Sequence, residues 1–203
     1  MNPTSANSEY TRKSLPWPFI IIVAVMVLPI VGAYVAYYTG MGVSEKTVNK
    51  GILLQPPAKL SALTDKGSAV PDLQERKWRL VLPVTSPCAQ ECQQNLYTTR
   101  QVHIRLGDKS VRVERIAANL GGDQGASFLQ SIHDDHPRLQ FFSVSRADWN
   151  NWLANSNAPE ALEQNPYYLL VDQEGFAMMY YTANHHGNDL LDDIKRVLRY
   201  TPE

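Results

Sequence analysis

Apolar and polar positions divide the chain into one long unbroken hydrophobic run and a series of short periodic segments. From Ser14 to Ser44 no residue is charged, and Leu15 to Tyr38 is apolar and long enough to cross a ~30 Å hydrocarbon core as a helix. Trp17 at one end and Tyr34, Tyr37 and Tyr38 at the other fit interfacial aromatic belts, and Pro29 kinks such a helix without preventing insertion. A cleaved signal peptide has a shorter apolar region ending in small residues, whereas this run ends in tyrosines. The run therefore predicts one transmembrane helix over 15–38, preceded by a short tail, 1–14.

Beyond it, 39–77 is mixed and polar, with Pro56, Pro57, Gly67 and Pro71, and reads as a linker and irregular lead-in to a domain over 78–203. Arg79 to Val84 reads as a strand, and Ala89 to Leu106 as a helix stopped by Gly107. A second strand is expected at Val111 to Ala117, a helix within Gly121 to His133, a third strand at Leu139 to Val144, and a short helix at Ala147 to Ala154. Tyr167 to Val171 and Phe176 to Tyr181 read as strands of a hairpin turned by Asp172-Gln-Glu-Gly175. The last helix is expected to be capped by Asn188 and to present Leu190, Leu191, Ile194, Val197 and Leu198 as one apolar face. Strands alternating with helices predict an α/β layer fold.

Composition narrows the function classes. A formal net charge of −1 and a pI near 6.5 give no electrostatic footprint for nucleic acid. Two cysteines are too few for a disulfide scaffold, so Cys88 and Cys92, in Ser-Pro-Cys-Ala-Gln-Glu-Cys at a strand-to-helix junction, can form a disulfide or hold one soft metal ion. A bond closing so short a loop constrains the unfolded chain little, which favours redox or metal chemistry over a structural staple. On the helix N-terminus Cys88 is expected to have the lower pKa and act as nucleophile, with Cys92 resolving, while Glu91 opposes the thiolate next to it. The tryptophans read as core and most of the five histidines as surface. His133 with His136, and His185 with His186, are the pairs that could bind a metal, whereas His103 lies too far along the helix to complete the cysteine site.

The basic residues Arg12 and Lys13 before the apolar run and Lys46 and Lys50 after it leave orientation undecided by count. The short tail favours an N-inside anchor with the C-terminal domain exported. Glu9 and the scarcity of arginine in the tail argue for a bacterial inner membrane rather than a mitochondrial transit peptide.

The order of these elements resembles the thioredoxin fold, with Asn165-Pro166-Tyr-Tyr-Leu-Leu-Val-Asp172-Gln-Glu-Gly175 placing Pro166 where that fold has its cis-proline beside the cysteines. Cys-x-x-x-Cys after a single membrane anchor is similar to the Sco family, membrane-anchored copper chaperones and thiol reductases that help build the CuA site of cytochrome c oxidase. The segments Asn49-Lys-Gly-Ile-Leu-Leu-Gln-Pro-Pro57, Trp78-Arg-Leu, Tyr97-x-x-Arg100-Gln-Val102 and Asp192-Asp-Ile-Lys-Arg-Val-Leu198 resemble a Sco-like group of bacterial membrane proteins associated with that oxidase. The likeness runs over about residues 15 to 200.

It implies a thioredoxin-like domain on one transmembrane helix, with Cys88, Cys92 and Pro166 as site residues, copper as metal, cytochrome c oxidase subunits as partners, and a periplasmic domain. Gln93 replaces the family's proline after the second cysteine, and Gln164 or Asn165 stands where the family supplies a histidine ligand. Copper(I) on two thiolates is therefore expected in place of a three-ligand copper(II) site, with His185 or His186 as substitute ligands. A copper carrier or thiol-disulfide reductase, a general exported dithiol oxidoreductase, and a non-catalytic accessory module of the oxidase are the three functions this pattern allows.

Overall fold

The computed structural model describes residues 17–39, 48–64 and 75–201. It contains α1 (Trp17–Thr39), β1 (Ile52–Lys59), α2 (Ser61–Thr64), β2 (Trp78–Val84), α3 (Gln90–Arg105), β3 (Val113–Asn119), α4 (Gly122–Ser131), β4 (Leu139–Ser143), α5 (Arg146–Leu153), β5 (Tyr167–Val171), β6 (Phe176–Thr182) and α6 (Gly187–Tyr200), with a 3₁₀ segment at Gly107–Arg112. The chain separates into two units, Met1–Thr47 and Val48–Glu203.

In the first unit, α1 is a 23-residue helix without charge, long and apolar enough to cross a membrane. Arg12, Lys13 and Lys46, on which orientation turns, and Gly67 and Pro71 of the expected linker lie outside the described residues.

The second unit is built on one six-stranded sheet of order β1-β6-β5-β2-β3-β4. The crossovers β2-α3-β3 and β3-α4-β4 join parallel neighbours, whereas β5 runs antiparallel to β2 and to β6, and β6 antiparallel to β1. Strand alternation distributes the core to both faces. On β5, Tyr168 and Leu170 join the cluster of Leu96, Val102, Leu190, Leu191, Ile194 and Leu198 under α3 and α6. Tyr167, Leu169 and Val171 join Trp149 and Leu153 of α5 on the other face. Leu169 and Leu170 have no exposure, each contributing roughly 1.5–3 kcal/mol by burial.

Two expectations are corrected. The supposed linker contains β1, which pairs along the edge of the sheet with β6 in the register Ile52 to Tyr180 and Ala58 to Ala177. Pro56 and Pro57 fall in the stretch between Leu53 and Ala58 where that register shifts, on an edge strand, a place where missing N–H donors are tolerated. The last helix is capped by His186 rather than Asn188: His186 Nδ1 accepts from Asn188 N, and Asp189 reaches back to His186 N at 2.8 Å, a capping box built with histidine. Of the histidines, His103 is buried, its Nε2 lying 2.9 Å from Val113 O.

Candidate functional site

β2 ends at Val84, and the following Thr85-Ser86-Pro87 turn delivers Cys88 to the start of α3. Ser86 Oγ donates to Gln124 Oε1 at 3.1 Å, and a Cβ on Gly121 would lie 2.7 Å from Ser86 Cβ and 2.9 Å from its backbone nitrogen. The turn before the cysteines is thus seated directly on the approach to α4, and only glycine allows that approach at position 121. Cys88 and Cys92 form a disulfide with Cα atoms 5.4 Å apart, inside the usual range. Ala89 is the N-cap with extended backbone, so Cys88 lies outside α3 and Cys92 in its first turn.

No side chain caps α3. The first backbone N–H groups of a helix have no acceptor within it, and their dipoles favour negative charge nearby. On reduction these groups stand beside the thiol that precedes the helix, and Gln93 Nε2 donates to Cys88 O at 3.0 Å, holding the loop closed. Both cysteines are shielded, Cys88 at 8% and Cys92 at 7% exposure.

The other expected site residues have separate structural duties. Among the described residues the cis peptide bonds are Gln55-Pro56 and Ser86-Pro87; Pro166 is half-buried and does not carry the expected cis geometry. The cis bond next to the cysteines precedes Pro87 instead. His185 Nδ1 accepts from Thr182 N at 3.0 Å, and its ring stands edge-on to Tyr181 at 5.6 Å between centroids. His186 Nδ1 is taken by the cap of α6. Gln164 and Asn165 are exposed, both donating backbone N–H to Ala161 O.

Among the described residues, no three His, Cys, Asp or Glu side chains are disposed to hold a metal. The donor set of a reduced site is thus two thiolates, which suits a soft monovalent ion and not one that prefers imidazole.

A cavity of about 450 Å³ lies between α3 and the β6–α6 turn, where Glu91, the neighbour of Cys92, shares the lining with His185 and His186. Tyr168 also lines it, 1% exposed, its hydroxyl without a hydrogen-bond partner and its pKa raised by burial. From sequence Tyr168 reads only as part of the strand Tyr167 to Val171. Stacking on Tyr181, at 5.3 Å and 11° between planes, is visible only once β5 and β6 pair.

The family model described as the transmembrane-like, thioredoxin-like, C-terminal domain matches residues 78–201. The chain belongs to that family. Among solved structures, this transmembrane-like thioredoxin-like protein is similar to yeast Sco1 with copper bound, at 16% identity and a TM-score of 0.51, over 62% of this chain and 80% of that one. Arabidopsis thaliana ScoI with copper bound gives 14% identity and a TM-score of 0.49, over 63% and 87%. BsSco, described as a Sco-family cytochrome c oxidase assembly protein with a disulfide switch, gives 15% identity and a TM-score of 0.48, over 63% and 83%. No curated protein matches the sequence. At such identities the likeness establishes the thioredoxin-like fold.

Proposed function

We propose that this protein is a membrane-anchored Sco-like factor in the biogenesis of a respiratory cytochrome c oxidase, with its C-terminal domain on the periplasmic side of a bacterial inner membrane. The observation that carries the reading is the Cys88–Cys92 disulfide at the uncapped start of α3 in a family with a thioredoxin-like domain. The copper-bound state and the oxidase-assembly role of the Sco relatives support it. An exported location is where such a pair persists oxidised.

As a reductase, the dithiol form acts through the Cys88 thiolate on one sulfur of a target disulfide, releasing the other target sulfur as a thiolate that takes up a proton. Cys92, giving up its proton, then attacks Cys88 Sγ of the mixed disulfide and breaks its bond to the first target sulfur, which leaves and is protonated to the second target thiol. Two electrons pass to the target, and the Cys88–Cys92 disulfide is restored. As a carrier, the same dithiol takes copper(I) as cargo on both sulfurs.

The test uses the full chain in detergent, reduced under anaerobic conditions. Copper(I) is titrated against a chromophoric chelator, and disulfide exchange is followed with an oxidised peptide carrying the CuA cysteines of the oxidase. Binding of one copper(I), or exchange, lost in Cys88→Ser and Cys92→Ser, is the expected result. If the intact dithiol does neither, the function is that of an accessory module of the oxidase, which the shielding of both cysteines and the lack of a third ligand among the described residues favour. Exchange with any exported disulfide at equal rate would instead mark a general oxidoreductase.

A further inference from the structure

Arg115, in the middle of β3, is 2% exposed. Its Nη2 donates to Leu96 O at 2.9 Å and to Thr99 Oγ1 at 3.2 Å, its Nε to Thr99 Oγ1 at 3.3 Å, and Nη2 lies 3.4 Å from His136 Nδ1. All these partners are neutral, and no carboxylate pairs with Arg115 among the described residues. A buried cation without a counter-charge is among the more costly features a core can hold. The other buried arginine of the sheet, Arg79, has its carboxylate, with Glu114 Oε2 at 3.2 Å from Nε.

Beside Arg115 opens a cavity of about 390 Å³, whose polar lining is Arg100 and His103 from α3, Ser110, Arg115, His136 and Arg138. It contains no Asp or Glu. Arg138 Nη1 donates to Ser110 Oγ at 3.4 Å, which turns that guanidinium toward the same side. Burial and the neighbouring guanidinium groups disfavour further positive charge here. Burial, then Arg100, push Arg115 down to about 10. Burial, then Arg115 and Arg100, lower His136, against a weaker opposing pull from Asp135. His103 is lowered by burial and by Arg115 and Arg138.

Three guanidinium groups from three separate segments thus converge on one concave space with no anion of the protein's own. A planar carboxylate satisfies one such fork, whereas a tetrahedral oxyanion offers acceptors in diverging directions, the recurrent use of clustered arginine. We propose that this cavity is a binding site for a phosphate group, with Arg100, Arg115 and Arg138 supplying its charge and donors. Phosphate is the chemistry shared by soluble phosphate esters and the headgroups of anionic lipids. The site lies apart from Cys88 and Cys92, neither of which lines it.

The test is calorimetric titration of the full chain in detergent, in phosphate- and sulfate-free buffer at fixed ionic strength, with three probes: inorganic phosphate, glycerol 3-phosphate, and dihexanoylphosphatidylglycerol below its micellar concentration. Arg100 is half-buried and Arg138 exposed, so Arg100→Gln and Arg138→Gln should leave the fold intact. At least one probe should bind at a single site, with affinity reduced about tenfold or more in each variant, as expected for loss of a charge-assisted hydrogen bond. Preference for the two soluble monoanion or dianion probes assigns the site to a free phosphate, and binding of the diester as tightly or more so assigns it to a lipid headgroup. Binding of none of the three, or affinities unchanged in both variants, overturns the proposal.

Discussion

Tyr181 donates its hydroxyl hydrogen to Asp193 Oδ2 at 3.0 Å, joining the end of the β5–β6 hairpin to the middle of α6. The same carboxylate, 1% exposed, accepts from Gly51 N at 2.9 Å and from Lys50 N at 2.8 Å. One side chain therefore fastens the chain just before β1 to the last helix. Asp193→Ala removes the acceptor of all these donors and is expected to cost ~3 kcal/mol, the scale of stranding buried donors of a charged partner. Gly51→Ala attacks the same knot from the other side, since its Cβ would lie 2.5 Å from the Tyr181 ring. Both variants should lower the urea midpoint. Normal midpoints would mean that the segment before β1 is not part of the cooperative fold.

For the cysteines, Cys88 of the reduced protein should be alkylated about tenfold faster than Cys92 at pH 7, because uncapped N–H groups of α3 favour its thiolate. Mass spectrometry of partially labelled protein gives the ratio. Equal slow labelling would indicate an inert structural pair.

Gly121→Ala tests the seat of that pair. The new Cβ meets Ser86 backbone, which cannot swing away as a flexible side chain could, and so displaces the turn that delivers Cys88. Loss of roughly 1–3 kcal/mol is expected, the range of forced overpacking, together with a changed reduction potential. A stable variant with unaltered potential would show that the turn adapts without moving the sulfurs.

Acid should weaken the fold through histidine. His103 is held neutral by burial and by nearby arginines, so its folded pKa lies below the unfolded value near 6.5. Where the unfolded chain binds the proton and the native one does not, stability rises with pH. The contribution is therefore complete above about pH 6.5 and is lost as pH falls below it. His136 is shifted the same way. His103→Gln should flatten the stability profile between pH 7 and 5, measured by urea unfolding, and an unchanged slope would place the acid sensitivity elsewhere.

For topology, an alkaline phosphatase reporter after Glu203 should be active and a cytoplasmic reporter there inactive. The reverse would remove the setting in which an exported disulfide makes sense.

What could be read in the chain beforehand was whatever depends on local periodicity. The stripe Leu190, Leu191, Ile194 and Leu198 of α6, the continuous run of β5 and the Asp172 turn, in which Asp172 Oδ1 accepts from Glu174 N and Phe176 N, all follow from neighbours in sequence. Strand β1 was hidden because its two prolines read as breakers, and only its own position at the edge of the sheet, beside β6, shows why they are tolerated. The cationic cavity was hidden for a related reason. Arg115 sits between Glu114 and Ile116 and, as a charged residue, gives no local sign of burial; it shares a strand face with Val113 and Ala117, and its burial is decided by α3, which packs over that face from elsewhere in the chain. At the cysteine site, position along α3 was legible, but the extended Ala89 that brings the sulfurs together was not.

Cys88 and Cys92 are separated by only four positions, and this spacing couples two equilibria that are usually considered apart. In a thermodynamic box of oxidised and reduced, folded and unfolded forms, any stability the bond adds to the native state must reappear as a lower reduction potential of the folded protein, about 30 mV for each 1.4 kcal/mol. A ring this small gains less from chain entropy than a long one. The poise of the couple is therefore set mainly by what the native loop does to each sulfur, and the domain can cycle between its two redox forms without approaching the edge of its own stability.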